Sequence, residues 1–223
     1  MSKVELFRDL SLSEARLAAI EALGWTEPTP IQWKAIPPAM EGKDVVGVAQ
    51  TGTGKTGAFM IPALEKIEIG KGLQVLVLCP TRELAQQVAE DTDALSKGTA
   101  LRVDFIVGGV SYGPQEKALR EGYEIIVATP GRFIDHMGKR RVDLSGLKTL
   151  VLDEADRMLD MGFRPQIEDI RKGIKGKPQI MLFSATMPNG VHALALQLTR
   201  DPVWLEATPS APRPRESPRS STR

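Results

Sequence analysis

Cysteine is nearly absent from this chain, and long apolar runs are absent. Among the 223 residues only Cys79 is a cysteine, which excludes an intrachain disulfide and fits a reducing compartment. No apolar run is long enough to span a membrane, and residues 1–5 do not resemble a signal peptide. The two histidines, His136 and His192, lack the spacing of a transition-metal site. These features predict a cytoplasmic protein without a membrane segment or a transition metal.

The net charge is also close to zero, at +1 for the whole chain. Four of the 29 basic residues and one of the 28 acidic residues fall within residues 208–223, which leaves 25 basic and 27 acidic residues in residues 1–207. Contacts between this larger part and a polyanion must therefore come from individually placed groups. Residues 208–223 alternate proline, serine and arginine without apolar periodicity. They predict a disordered tail that follows one domain spanning residues 1–207.

The chain has the size and composition of one α/β domain, with a mass of 24.3 kDa and 42% hydrophobic residues. Short β-branched apolar runs alternate with helical stretches, which predicts a three-layer fold of helices around a mostly parallel sheet. Parallel strands end along one edge of a sheet, and ligands bind at that edge. Six runs lead into polar turns, so we expect six turns on one rim. The expected strands are residues 45–48, 75–79, 103–107, 125–128, 150–152 and 180–183.

Two helices are expected before the first strand. Ser11 and Glu14 have the spacing of a capping box, which predicts a helix over residues 15–23 that ends at Gly24. A proline-rich entry then predicts a short helix through Met40.

The turn after the first expected strand, residues 49–56, has the pattern of a phosphate-binding loop. Ala49 stands where the general pattern has glycine, but the glycine-rich core that ends in Lys55 and Thr56 is intact. Lys55 can neutralise phosphate oxygens, Thr56 can bind Mg²⁺, and backbone N–H groups can hold the phosphates. The alternative is a glycine-rich turn with an exposed lysine. The expected nucleotide contacts in this loop are Gln50, Thr51, Gly52, Thr53, Gly54, Lys55 and Thr56.

The four residues Asp153, Glu154, Ala155 and Asp156 follow the fifth expected strand. Asp153 can hold Mg²⁺ through water, and Glu154 can orient or deprotonate a water that attacks the γ-phosphate. Asp156 is expected to hydrogen-bond a neighbouring turn. The alternative is an acidic helix start that is favourable against the helix dipole. Together with the phosphate-binding loop, this acidic quartet predicts an NTPase.

Over roughly residues 5–206, the chain resembles the N-terminal RecA-like domain of DEAD-box RNA helicases, and its motifs follow the order found in that family. Residues 24–32 resemble the Q motif of that family, although Trp25 stands where phenylalanine is more usual. Phe7 stands 17 positions before Gly24, where the family has an aromatic residue that stacks on adenine. The resemblance implies that Gln32 reads the adenine edge and that the ligand is ATP with Mg²⁺. Phe7 as a core residue is a compatible alternative.

The remaining turns resemble the RNA-facing and coupling motifs of the same family. The RNA-facing residues implied are Pro80, Thr81, Arg82, Gly108, Gly109, Thr129, Pro130, Gly131 and Arg132. Their side chains and the helix starts behind them suit phosphate oxygens, so the contacts with RNA should be largely independent of sequence. Ser184, Ala185 and Thr186 resemble the motif that couples the nucleotide site to RNA, and their hydroxyls can hydrogen-bond Asp156.

The resemblance also implies a second RecA-like domain that brings further RNA contacts and the arginines that complete the ATP site. Nothing after Thr186 resembles that domain, so we expect it to be absent from these residues. The expected function is the ATP- and RNA-binding half of an ATP-dependent helicase that remodels RNA duplexes when joined to the second domain. By itself the chain should bind nucleotide weakly and hydrolyse little. The alternatives are a naturally short, non-catalytic nucleotide- and RNA-binding module and a helicase that acts on DNA.

Overall fold

A computed structural model describes residues 6–207, and the expected tail at residues 208–223 lies outside them. A 3-10 helix, Phe7–Leu10, comes first. The helices that follow are α1 (Glu14–Ala22), α2 (Pro30–Met40), α3 (Lys55–Leu64), α4 (Arg82–Leu95), α5 (Tyr112–Glu121), α6 (Pro130–Gly138), α7 (Ala155–Asp160), α8 (Arg164–Gly173) and α9 (Asn189–Leu198). The strands are β1 (Val45–Val48), β2 (Val75–Leu78), β3 (Val103–Ile106), β4 (Ile125–Ala128), β5 (Thr149–Leu152), β6 (Gln179–Ser184) and β7 (Val203–Glu206). Within the described part, no helix is long and apolar enough to cross a membrane.

The seven strands form one sheet in the order β3-β4-β2-β5-β6-β1-β7, and every pairing is parallel. The expected α/β fold is confirmed, and the sheet is parallel throughout rather than mostly so. All six expected strands are present. A seventh, β7, was not expected; it pairs with β1 from Val203 opposite Val45 to Glu206 opposite Val48. Its alternating, half-buried pattern is that of an edge strand, which lacks the continuous apolar run used to find the others.

Helices cover both faces of the sheet, because successive residues of each buried strand point to opposite sides. Val75 packs into the core on the side of α2, α3 and α4, whereas Leu76 packs into the core on the side of α6, α7, α8 and α9. Strand β2 is fully buried, which explains why its sequence is apolar at every position. This three-layer packing holds the strand ends in fixed positions at the rim.

The starts of several helices are set by short polar caps. The expected capping box of Ser11 and Glu14 was wrong: Ser13 is the N-cap of α1 and accepts a hydrogen bond from the backbone N–H of Arg16 at 3.3 Å. Ser11 instead has left-handed backbone, with φ of 54°, and ends the preceding 3-10 helix. At the rim, Thr81 caps α4 by accepting from the N–H of Leu84 at 3.3 Å.

The strand order divides the rim into two halves. The ends of β3, β4 and β2 are neighbours, and they lead into the three turns with the expected RNA-facing residues. The ends of β5, β6 and β1 are also neighbours, and they lead into the acidic quartet, residues 184–186 and the phosphate-binding loop. The seam between the halves is the β2–β5 pairing.

Candidate nucleotide-binding site and neighbouring rim

The phosphate-binding loop joins β1 to the first turn of α3, the context that this motif requires. Gly52 and Gly54 both have left-handed backbone, with φ of 82° and 86°, which glycine adopts without steric cost. The Thr53 hydroxyl donates to the carbonyl of Gln50 at 2.7 Å and closes the loop on itself. The free N–H groups at the start of α3 therefore lie at the carboxyl edge of the sheet, where they can bind an anion.

Gln32 supports this loop through two side-chain hydrogen bonds. Its side-chain oxygen accepts from the N–H of Thr29 at 2.9 Å, and its side-chain nitrogen donates to the carbonyl of Gly54 at 3.1 Å. A methyl group at Gly57 would lie only 2.5 Å from that nitrogen, so a larger residue at that point of α3 would force the Gln32 amide to move. Gln32 thus ties the start of α2 to the loop; it is only 3% exposed, and these two bonds use one N–H and one lone pair of its amide.

Phe7 and Trp25 lie together next to this support. Their ring centres are 6.3 Å apart with an angle of 24° between the planes. Phe7 is only 4% exposed and belongs to the core, as its alternative interpretation anticipated, while Trp25 is half-buried. Stacking of Phe7 on adenine stays a prediction.

Lys55 and Asp153 form a buried ion pair between the loop and the acidic quartet. The Lys55 ammonium is 3.4 Å from the Asp153 carboxylate, and the residues are 5% and 2% exposed. Burial raises the pKa of Asp153; Lys55 opposes the shift, and the neighbouring charge of Glu154 adds to it. The Lys55 nitrogen makes no hydrogen bond within the described residues. A buried ammonium with free donors beside a carboxylate fits phosphate and a hard cation such as Mg²⁺.

Glu154 is held by both sides of the site. The Thr51 hydroxyl donates to one carboxylate oxygen at 2.8 Å, and the Arg157 guanidinium lies 3.4 Å from the other. The backbone of Glu154 is left-handed, with φ of 52°, which is uncommon for a residue other than glycine. Its N–H donates to Asp153 at 2.9 Å, one of the contacts that support this conformation. The carboxylate is therefore fixed next to the loop.

Asp156 contacts the turn that follows β6. Its carboxylate accepts from the N–H of Thr186 at 2.9 Å and from the hydroxyl at 2.8 Å. Its own N–H donates to the Ser184 hydroxyl at 3.1 Å. Partial burial raises the pKa of Asp156, but the hydrogen bonds from Thr186 and Ser184 outweigh it, so the pKa is lowered overall. The quartet thus contacts residues 184–186 as well as the phosphate-binding loop.

The other half of the rim presents donors at the ends of β2, β3 and β4. Arg82 is exposed at the start of α4, and Gly109 is exposed beside it, with φ of 78°. Thr129 caps α6, and Arg132 in its first turn donates to the carbonyl of Val110 at 2.9 Å. Among the remaining expected residues, Pro80 and Pro130 are buried, while Gly108 is exposed and Gly131 half-buried.

Sequence reasoning missed Arg157 and the role of Thr51 towards Glu154. Arg157 lies three residues after Glu154 on α7, a spacing at which side chains meet, so the pair could have been found. The contact between Thr51 and Glu154 could not, because 103 residues separate them and only the fold brings them together.

Comparison with known proteins gives consistent matches. Residues 29–194 match the family model described as DEAD/DEAH box helicase. The chain is 46% identical over 205 residues to DEAD-box ATP-dependent RNA helicase 30 of Arabidopsis thaliana, with 89% of this chain and 35% of that protein covered. The fold is similar to the crystal structure of a DEAD box protein from the hyperthermophile Methanococcus jannaschii, with a TM-score of 0.87, 40% identity, and coverage of 91% of this chain and 56% of that one. The chain therefore spans about a third of the plant relative and about half of the archaeal one.

Proposed function

The chain belongs to the DEAD/DEAH box helicase family, and we propose that it is the ATP- and RNA-binding half of an ATP-dependent RNA helicase. In this proposal it remodels RNA duplexes when joined to a second RecA-like domain. The observation that carries the proposal is the buried contact between Lys55 and Asp153, which joins the phosphate-binding loop to the acidic quartet. We also propose a cytoplasmic location, since Cys79 is the single cysteine.

The nucleotide is held at two places in this proposal. Backbone N–H groups of residues 52–56 and the Lys55 ammonium bind the phosphates. Gln32 reads the adenine edge with the part of its amide that stays available, and Phe7 and Trp25 supply the apolar surface beside it. This arrangement favours ATP over other nucleotides.

Thr56 and Asp153 would hold Mg²⁺ in this proposal, Asp153 through water. Bound Mg²⁺ supplies neutralisation of the charge on the β- and γ-phosphate oxygens. Glu154 orients or deprotonates the attacking water. Its fixed carboxylate, between Thr51 and Arg157, supports this role because a general base must be positioned before it reacts.

RNA binds in this proposal along the half of the rim formed by β3, β4 and β2. Exposed Arg82, the glycine pair at residues 108–109 and the start of α6 contact phosphate and sugar, without reading bases. Asp156 and residues 184–186, which hydrogen-bond each other in the nucleotide half, are the residues that couple that half to the RNA-facing half in this proposal.

Hydrolysis by the 223-residue chain alone should be slow. Arginines supplied to a phosphoryl-transfer site are worth roughly 10³–10⁵ in rate, or about 4–7 kcal/mol of barrier. We assign these arginines to the second domain, so this chain should bind ATP with Mg²⁺ weakly and turn it over barely. A short, non-catalytic module would share these properties, but its activity would not rise when a second domain is added.

The test measures ATP binding by calorimetry with and without Mg²⁺, and ATP hydrolysis with and without RNA. Lys55→Ala should abolish binding, while Lys97→Ala, an exposed lysine after α4, should leave it unchanged. Strong RNA-stimulated hydrolysis by the purified chain would contradict the assignment of the completing arginines to a second domain. Binding that does not depend on Mg²⁺ or Lys55 would contradict the site. Matched RNA and DNA strands test the choice of RNA, which alone offers a 2′-hydroxyl.

A further inference from the structure

Tyr112 lies outside the motifs at the strand ends, yet two cations contact its ring. Tyr112 begins α5, three residues after Gly109. The Arg132 guanidinium is 4.1 Å from the ring centre, and the Lys139 ammonium is 4.0 Å from it. Both distances are within the range of a cation–π interaction. Lys139 follows α6, so its side chain reaches back along the helix to this ring.

These cations lack carboxylate partners. Within residues 6–207, neither Arg132 nor Lys139 forms an ion pair with an acidic side chain, and exposed Arg140 forms none either. The nearby Asp135 carboxylate accepts the Tyr112 hydroxyl at 2.9 Å. Two cations that share one ring repel each other, and an anion placed against both relieves that repulsion.

The backbone turns sharply directly after Lys139. Arg140 has left-handed backbone, with φ of 53°, at a position after a helix where glycine is usual. Its N–H donates to the carbonyl of Met137 at 2.9 Å, and the N–H of Arg141 donates to that of His136 at 3.1 Å. The turn therefore keeps Lys139 and Arg140 exposed at the end of α6.

A buried pair supports this surface and joins it to the glycine pair. His136 is fully buried, and its ring nitrogen lies 3.4 Å from the side-chain oxygen of Gln115. Gln115 donates to the carbonyl of Val107, directly before Gly108, at 3.0 Å. Arg132 donates to Val110, on the other side of the glycine pair. The cationic surface is thus continuous with two of the RNA-facing turns.

We propose that Tyr112, Arg132, Lys139 and Arg140, here named the Tyr112 patch, form an additional contact area for single-stranded RNA beside the rim. The patch binds phosphates of the strand as it leaves the rim, and the Tyr112 ring holds the cations in place for them. RNA is favoured because Arg132 belongs both to the patch and to the turn assigned to RNA above. This inference rests on the proposed RNA binding.

The experiment compares the binding of two fluorescent single-stranded RNAs, of about 6 and about 15 nucleotides, to the full 223-residue chain and its variants. Lys139→Met removes the charge and keeps the length of the side chain. Lys97→Met is the matched control, since Lys97 is also exposed just after a helix and forms no described ion pair. Arg82→Met is the control for the rim itself.

Lys139→Met should weaken binding of the longer RNA about 5-fold at about 0.1 M salt and reduce its salt slope by about 0.7, the effect of one phosphate contact. Binding of the shorter RNA should change less, and Lys97→Met should change neither. Arg82→Met should weaken both RNAs. Melting temperatures should differ only slightly, because both lysines are exposed and a cation–π contact such as that of Lys139 is weak at an exposed site.

Two results would overturn the inference in distinguishable ways. If Arg82→Met weakens binding but Lys139→Met matches Lys97→Met, the Tyr112 patch only fastens α5 to α6, and the proposed function is unaffected. If neither RNA binds the unmodified chain measurably, RNA binding by this domain fails, and the inference fails with it.

Discussion

Replacing Lys55 with methionine should strongly destabilise the fold, because it leaves the Asp153 carboxylate buried without a cation. The ammonium and carboxylate are 3.4 Å apart, and both residues are at most 5% exposed. At that distance the attraction is about 5 kcal/mol with an effective dielectric constant of about 20. Breaking a buried pair by removing one partner typically costs about 3–5 kcal/mol. Burial already raises the pKa of Asp153, and the neighbouring Glu154 charge adds to that shift, so the carboxylate depends on Lys55 for its compensating charge.

The double variant separates this effect from general damage. Asp153→Asn combined with Lys55→Met removes both charges, and replacing a buried pair by uncharged groups of similar size is often close to neutral. The double variant should therefore be more stable than Lys55→Met alone, with a coupling energy of about 2 kcal/mol or more. Urea unfolding followed by circular dichroism would give the free energies of unfolding, and calorimetry should show that both variants lose ATP binding.

The reasoning would be refuted by a cost below about 1 kcal/mol for Lys55→Met together with additivity within about 0.5 kcal/mol. That result would mean that the Asp153 carboxylate is solvated or neutral whether or not Lys55 is present. Lys97→Met should change the free energy of unfolding by less than about 0.5 kcal/mol, since it alters only an exposed side chain.

Two further predictions concern other parts of the fold. Gly57→Ala places a methyl group 2.5 Å from the Gln32 nitrogen, so it should cost about 1–3 kcal/mol and weaken ATP binding. Gly190→Ala, whose methyl group would meet nothing nearer than 3.6 Å, should cost neither stability nor binding; equal effects of the two would contradict this. Burial raises the pKa of Glu124, but Arg102 and backbone N–H groups outweigh it, so the pKa lies below the ordinary 4.5. The ionised carboxylate therefore stabilises the fold above pH 4.5 and does so less as the pH falls through its lowered pKa. The difference in free energy of unfolding between the chain and Glu124→Gln should shrink below pH 4.5, and a constant difference would contradict it.

Much of the fold followed from the apolar runs, because a strand buried on both faces must be apolar at every position. Val75–Leu78 and Ile125–Ala128 are fully buried and were found on that basis. The gathering of polar turns on one rim followed from strand direction alone. Strand β7 escaped because alternating exposure gives an edge strand no such run.

The order of the strands could not be predicted from the runs. Direction places six turns on one edge, but pairing depends on how helices of different length pack across the sheet. The order β3-β4-β2-β5-β6-β1-β7 is what separates the two halves of the rim. The same limit applies to Thr51 and Glu154, whose contact exists only once β1 and β5 flank β6.

Local chemistry was ambiguous where two similar residues competed. Ser11 and Ser13 both precede the first helix, and Ser13 became the cap because its hydroxyl reaches the N–H three residues later. Phe7 was expected to stack on adenine, to pack in the core, or both; its packing against Trp25 confirms the core position, and stacking on adenine stays a prediction. Such choices depend on tertiary contacts that short sequence patterns do not contain.

The position of β5 gives the acidic quartet contacts with both halves of the rim. At the start of the quartet, the N–H of Asp153 donates at 2.9 Å to the carbonyl of Leu78, two residues before the turn at Pro80. At its end, Asp156 contacts Ser184, whose carbonyl accepts from the N–H of Ala49 at the start of the phosphate-binding loop at 2.9 Å. Hydrogen bonds, one of them to the Ser184 side chain, therefore link the start of the phosphate-binding loop and the quartet to the end of β2. We predict that this is the route by which the nucleotide site and the RNA-facing turns are coupled, because the quartet directly follows the strand where the two halves meet.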